Sequence, residues 1–163
     1  MYFEPCRYNL SCRIAKVRQR SCHVGTPAFV PERRGVTLPA FYKIDKEHKL
    51  VMSAGSGVFT REDLLGNQER LLKDPEFDPT FSQMSDFTQI TEVDVTTEDV
   101  RLAARNSIFS PQSRRALLVK DDLQFDLARM FEIHHELNGE KGIRVFRNID
   151  EALDWVFAKD QVA

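Results

Sequence analysis

Residues 116–146 read ALLVKDDLQFDLARMFEIHHELNGEKGIRVF, and this run decides the fold. Ala116-Leu117-Leu118-Val119 is an unbroken apolar run, the pattern of a strand covered on both faces. Asp121-Asp122-Leu123-Gln124 follows, a carboxylate cap with a glutamine three residues on, which opens a helix. Leu123, Leu127, Met130, His134 and Leu137 then recur at helical spacing and predict its inner face. Gly139 and Gly142 end the helix, and Ile143-Arg144-Val145-Phe146 is a second strand. A buried strand, a helix and a further strand make a βαβ unit, in which the two strands run parallel.

Working outward, the same grammar repeats. Downstream, Asn148-Ile149-Asp150-Glu151 opens a last helix with Ile149, Ala152, Leu153, Val156 and Phe157 as its buried stripe. Upstream, Thr96-Thr97-Glu98-Asp99 opens a helix whose small inner face is Val100, Ala103, Ala104, Ser107 and Ile108, and Ser110-Pro111 ends it. Ser82 to Phe87 reads as the third strand, more polar than a central strand usually is. Thr60-Arg61-Glu62-Asp63 opens the first helix, with Leu64, Leu65, Leu71 and Leu72 on one face and Asp74-Pro75 as its stop. Phe41–Ile44 and Leu50–Ala54 flank the polar turn Asp45–His48 and form a hairpin. Gly55 and Gly57 suit a bend or bulge at the end of its second strand. The order is ββαβαβαβα: an α/β fold on a mixed, mostly parallel sheet.

At 163 residues the chain is long enough for one domain with a real core. No run approaches the ~18 apolar residues of a membrane span, and nothing at the start has the form of a secretory signal, so a cytoplasmic location is expected. The net charge of −2 hides an asymmetry: residues 1–35 hold seven basic and two acidic residues and all three cysteines. The remainder is therefore acidic and has no disulfide, thiol nucleophile or zinc-cysteine site. Residues 1–35 show no sustained apolar period. They read either as a disordered basic extension or as the product of a start site placed too early, with the natural protein beginning at Val36. The domain is expected over 36–163. Cys6, Cys12, Cys22 and His23 lack the paired spacing of zinc modules, and no aromatics alternate with the basic residues, so no nucleic-acid partner is expected.

Few residues in the body advertise chemistry. Gly55-Ser56-Gly57 lacks the rest of a phosphate loop, and no serine lies in a nucleophile elbow. His134 and His135 are neighbours on a helix and diverge by ~100°, so they cannot jointly grip a metal; His134 falls on the inner face as a core histidine. No metal or cofactor is expected. Asp86, at the end of the third strand where α/β sheets hold ligands, is a candidate binding residue, with Asp94 in the loop beyond it. Arg115, after Arg114, is suited to a phosphate, an acidic partner or a salt bridge. An enzyme would need Asp86 and Arg115 to converge in one cleft. Thr88 begins a stretch, to Thr97, that would form a partner surface if exposed and partly apolar. Thr96 is a helix cap, and Thr96 or Thr97 is the place where a phosphate would meet a helix's positive end.

One set of pieces, in this order and spacing, resembles small bacterial proteins of the SpoIIAA-like group, related to the STAS (sulfate transporter and anti-sigma factor antagonist) fold. The pieces are Tyr42-Lys43-Ile44-Asp45, Gly57-Val58-Phe59-Thr60, Asp74-Pro75-Glu76-Phe77-Asp78-Pro79, Phe109-Ser110-Pro111, Ala128-Arg129-Met130-Phe131-Glu132, and Arg144-Val145-Phe146-Arg147 running into Asp150-Glu151-Ala152-Leu153. The resemblance implies a mixed sheet with helices largely on one side, no enzymatic activity, and a binding or regulatory module acting through a protein partner. In the regulators of that fold a phosphorylatable serine opens the helix after the third strand. Asp94-Val95-Thr96-Thr97 is the matching stretch, without their Ser-Ser-Gly. Others of the broad fold group are thought to bind apolar molecules or lipids. The alternative reading is therefore a carrier of a small apolar ligand or lipid, which requires an enclosed pocket lined by some of the twelve phenylalanines.

Overall fold

The computed structural model of the chain describes residues 40–158. The proposed extension over 1–35, with its cysteines, lies outside the described residues. Five strands form one sheet in the order β1-β2-β3-β4-β5. They are β1 (Ala40–Asp45), β2 (Leu50–Thr60), β3 (Ser82–Asp94), β4 (Arg115–Leu118) and β5 (Ile143–Phe146). The helices are α1 (Arg61–Leu72), α2 (Thr97–Arg105), α3 (Asp122–Leu137) and α4 (Ile149–Phe157). Only the β1–β2 hairpin is antiparallel; the other three pairings are parallel. The α/β class and the ββαβαβαβα order are those expected from the sequence.

This strand order determines where the helices lie. Each crossover from β2 to β5 steps to the next strand in the same direction. Crossovers of one hand then place α1, α2 and α3 on the same face. The pleat sends Val51, Gln83, Ser85, Arg115, Leu117 and Ile143 toward those helices, and Met84, Asp86, Ala116 and Leu118 toward the other face. There α4 packs against β3, β4 and β5. Trp155 of α4 is held between two guanidinium groups, 4.6 Å from Arg114 and 3.9 Å from Arg144. On the three-helix face, Val51, Leu71, Phe81 and Phe109 form one apolar cluster; Leu117, Val119, Ala128 and Ile143 form another.

The helix starts follow the capping signals. Thr60 and Thr96 both close full capping boxes, with Asp63 and Asp99. Asp121 accepts from the Gln124 amide at 2.9 Å. The Gln124 side chain reaches past the cap, accepting from the Lys120 N–H at 3.0 Å and donating to the Ile90 carbonyl at 3.0 Å. Thr96→Ala is expected to cost about 1 kcal/mol while Thr96→Asp retains most stability, since aspartate also accepts from the free N–H groups; urea titration of both variants checks this.

Three expectations are corrected. First, β2 and β3 run on well past Ala54 and Phe87. Gly55 and Gly57 mark register shifts inside β2 rather than its end, because the shifts let both strands continue as a two-stranded parallel ribbon beyond the edge of β4. Asp94 is accordingly the last residue of β3, not a loop residue, and Asp86 lies mid-strand rather than at its end. Gly55 has a packing reason: a Cβ there would lie 3.1 Å from Ile90 Cδ1. Second, Leu72 of α1 is exposed. Third, α3 is turned by about one residue. Its buried positions are Gln124, Ala128, Glu132 and His135, while Leu123 and Leu137 are 63% and 76% exposed. The small Ala128 lets the helix lie close on Leu117, Val119 and Ile143, with Phe125 and Phe131 packed alongside. The core histidine is therefore His135, and His134 is only half-buried.

Candidate functional site

The site begins with short side chains where a core would put long ones. Ser53 and Ser85 are in register on β2 and β3, on the sheet face under α1–α3. Two short side chains side by side leave a space between sheet and helices at this point, a cavity of about 120 Å³ that is partly open to solvent. Its wall is mostly apolar and includes Phe59, Phe87, Phe109 and Phe131, with Leu64 and Leu71 from α1 and Leu127 from α3. The β2–β3 ribbon contributes Phe59, Ile90 and Val93, and Phe59 packs on Phe87 with centroids 5.3 Å apart. The small inner face of α2 places Val100 in the same wall.

Arg115 is the charged residue that β4 brings to this cavity. It is 3% exposed. The chain builds its partner locally. Gly139, with φ +89°, ends α3 in a left-handed turn, and the Glu140 N–H returns to the His135 carbonyl at 2.9 Å. Glu140 is thereby folded back under the helix, where its Oε2 accepts from Arg115 Nη2 and from Ser107 Oγ at 3.2 Å. Gly142 completes the arrangement. A Cβ there would collide with the Ser113 carbonyl, and its own carbonyl accepts from the Arg115 N–H at 2.7 Å.

His135 is the third member of this buried cluster and is 0% exposed. Its Nδ1 lies 3.0 Å from Glu140 Oε2 and 3.1 Å from Arg115 Nη2. Burial, with the neighbouring Arg115 charge and then His134, pushes its pKa down to about 3. The ring is neutral at physiological pH and carries one proton: on Nδ1 it donates to Glu140, on Nε2 it frees Nδ1 to accept from Arg115. Burial also lowers the Arg115 pKa to about 10, against the opposing effect of Glu140, so the guanidinium remains charged. Arg115 Nε and His135 Nε2 are buried without a hydrogen-bond partner.

The other sequence candidates lie elsewhere. Asp86 is buried on the opposite face of the sheet from Arg115, because their strands are in register with Gln83 opposite Arg115 and the pleat alternates. The two do not share a cleft. Asp86 Oδ1 accepts from the Thr88 N–H at 2.8 Å and the Thr88 hydroxyl at 2.6 Å. Between Thr88 and Thr97 the apolar residues Ile90, Val93 and Val95 all line the cavity, while Gln89, Thr91, Glu92, Asp94, Thr96 and Thr97 are exposed. The outward side of this stretch is therefore polar. The Thr96 hydroxyl is held in its capping box, donating to Asp99 Oδ2 at 2.6 Å. Sequence reasoning missed Glu140 and His135 as partners of Arg115, and Ser53 and Ser85 as the cavity floor. The unusual polarity of β3 was the available signal for the cavity.

Among the described residues no group of three or more His, Cys, Asp or Glu side chains could hold a metal ion, and no helix is long and apolar enough to cross a membrane. No family model matches the chain, and no curated protein matches it. Among solved structures the chain is similar to an uncharacterised protein of the DUF3478 family from Shewanella loihica PV-4. The match has 19% sequence identity and a TM-score of 0.48, and covers 72% of this chain and 93% of that one. That protein has a SpoIIAA-like fold. It is the fold group to which the sequence pieces quoted above bear a resemblance.

Proposed function

We propose that this chain is a non-enzymatic binding module that carries a small apolar molecule between its sheet and helices α1–α3. The cavity carries this reading: four phenylalanines and several aliphatic side chains surround a space left open by Ser53 and Ser85. The apolar side chains that line this partly open space lack dispersion contacts on one side, and an apolar guest restores them. The pattern is that of small-molecule sites, an apolar lining with a few polar groups. The rival reading, a regulatory module acting through a protein partner, has the exposed Leu123, Ile133 and Leu137 of α3 in its support. The polar outward side of Thr88–Thr97 offers it less.

The test is native mass spectrometry of protein purified from its own host, with Ser85→Ile beside the wild type. Isoleucine suits a strand and fills the floor of the cavity. The variant is expected to keep the wild-type stability or exceed it by about 1 kcal/mol, while the co-purifying mass is lost. A Ser85→Ile protein that is folded and still loaded would show that the guest lies elsewhere.

A further inference from the structure

The outward face of α3 is apolar where a surface helix is ordinarily polar. Ala128 stands at the centre of the buried side. A turn of about 100° per residue puts Leu123, Asp126, Met130, Ile133 and Leu137 within about 40° of the opposite direction. Leu123, Ile133 and Leu137 are exposed, and Met130 is half-buried between them. Large apolar side chains along one outward helix face mark a contact surface.

One carboxylate restricts what can cover it. Asp126 stands exposed within the apolar face. Neither its side chain nor that of His134 has a hydrogen-bond or ion-pair partner among the described residues. A wholly apolar occupant would bury the Asp126 charge unpaired. An anionic lipid surface would be repelled by Asp122, Asp126 and Glu136, all exposed. The occupant must bring apolar side chains with a donor set between them, and α3 itself has that pattern. About Met130 its sequence is close to a palindrome in character: Leu127 and Ile133 lie three residues to either side, Asp126 and His134 four, Leu123 and Leu137 seven. A two-fold axis at Met130, setting two α3 helices antiparallel, brings each residue to the height of its counterpart. Met130 meets the partner's Met130. Leu123 meets the partner's Leu137 about 10 Å along the helix at either end, and Asp126 comes level with the partner's His134, twice.

We propose that the outward face of α3 is the contact surface of a symmetric dimer, its occupant a second copy of this chain laid antiparallel about Met130. Leu123, Met130, Ile133 and Leu137 supply the apolar contact, and Asp126 pairs with the partner's His134. One helix from each copy makes a small interface, which places the dimer among the weaker complexes. The inference is independent of the carrier reading, since a chain that stays monomeric keeps its cavity.

Sedimentation velocity of the full chain tests this, under reducing conditions that keep Cys6, Cys12 and Cys22 from joining copies. A monomer–dimer equilibrium is expected, with a dissociation constant on the order of 10 μM. Leu137→Glu sets a charge against the partner's Leu123 and is expected to weaken the dimer at least about tenfold. Its urea midpoint should match the wild type, because Leu137 is 76% exposed. Asp126→Lys is expected to weaken the dimer by about tenfold as well, and Asp126→Lys/His134→Asp to restore it, because the swap rebuilds a pair of opposite charge. The register is read by cross-linking, with the three cysteines replaced by serine and either Leu123→Cys or Leu137→Cys introduced. A short bismaleimide is expected to join chains in a mixture of the two and to join neither variant to itself. A chain that stays monomeric up to about 500 μM, beyond the range of even a small specific interface, would overturn the proposal; flotation of that monomer with anionic vesicles would assign the face to a bilayer instead. A dimer indifferent to Leu137→Glu, a double variant no tighter than Asp126→Lys alone, or Leu123→Cys cross-linked to itself would overturn it equally.

Discussion

Replacing Arg115 alone by methionine is expected to destabilise the protein by about 3–5 kcal/mol, the usual cost of breaking a buried ion pair from one side. Glu140 would be left buried, with its charge answered only by the Ser107 hydroxyl and a neutral His135. Replacing Arg115 and Glu140 together by methionine and glutamine is expected to recover most of that loss, because an uncharged pair of similar volume has no desolvation to offset. Guanidinium titrations of the two single variants and the double variant form the cycle that measures the coupling. A small loss in Arg115→Met, with no recovery in the double variant, would show that the pair contributes little and that solvent reaches the cluster.

His135 should make stability fall steeply with acid. Its pKa is about 3 in the folded chain and close to 6.5 in the unfolded one. Between those values the unfolded state binds a proton that the folded state refuses, so unfolding becomes more favourable as pH drops. The contribution of His135 is fully present above pH ~6.5 and is lost progressively down to about pH 3, at up to roughly 1.4 kcal/mol per pH unit. His135→Asn places an amide near the Nδ1 position and does not titrate. It is expected to be less stable at pH 7 through lost packing, yet to show a flatter acid limb over that window. Denaturant midpoints measured from pH 7 to pH 4 for the two proteins decide the matter; parallel limbs would mean that carboxylates elsewhere govern acid unfolding.

The sequence by itself determined the elements and their order. Capping boxes at Thr60 and Thr96, the Asp121 cap, the Gly139 stop and the apolar run Ala116–Val119 are local signals, and local hydrogen bonding and sterics decide them without the rest of the chain. Parallel pairing of β4 with β5 followed from the helix between them. The outcome differed wherever a distant partner was needed. β3 continues to Asp94 because β2 continues beside it, and nothing within either segment announces the other's length. The face that α3 buries depended on how closely Ala128 could approach Leu117 and Ile143, which overrode a stripe of larger leucines. Arg115 was legible as a residue that seeks an anion. That the anion is Glu140, with His135 beside it, depended on the turn at Gly139 and the depth of β4. Asp86 and Arg115, both plausible from sequence, were separated by the pleat. The cavity was the least legible feature, because a void belongs to no residue: it arises only when Ser53 and Ser85, thirty-two positions apart, come into register beneath three helices.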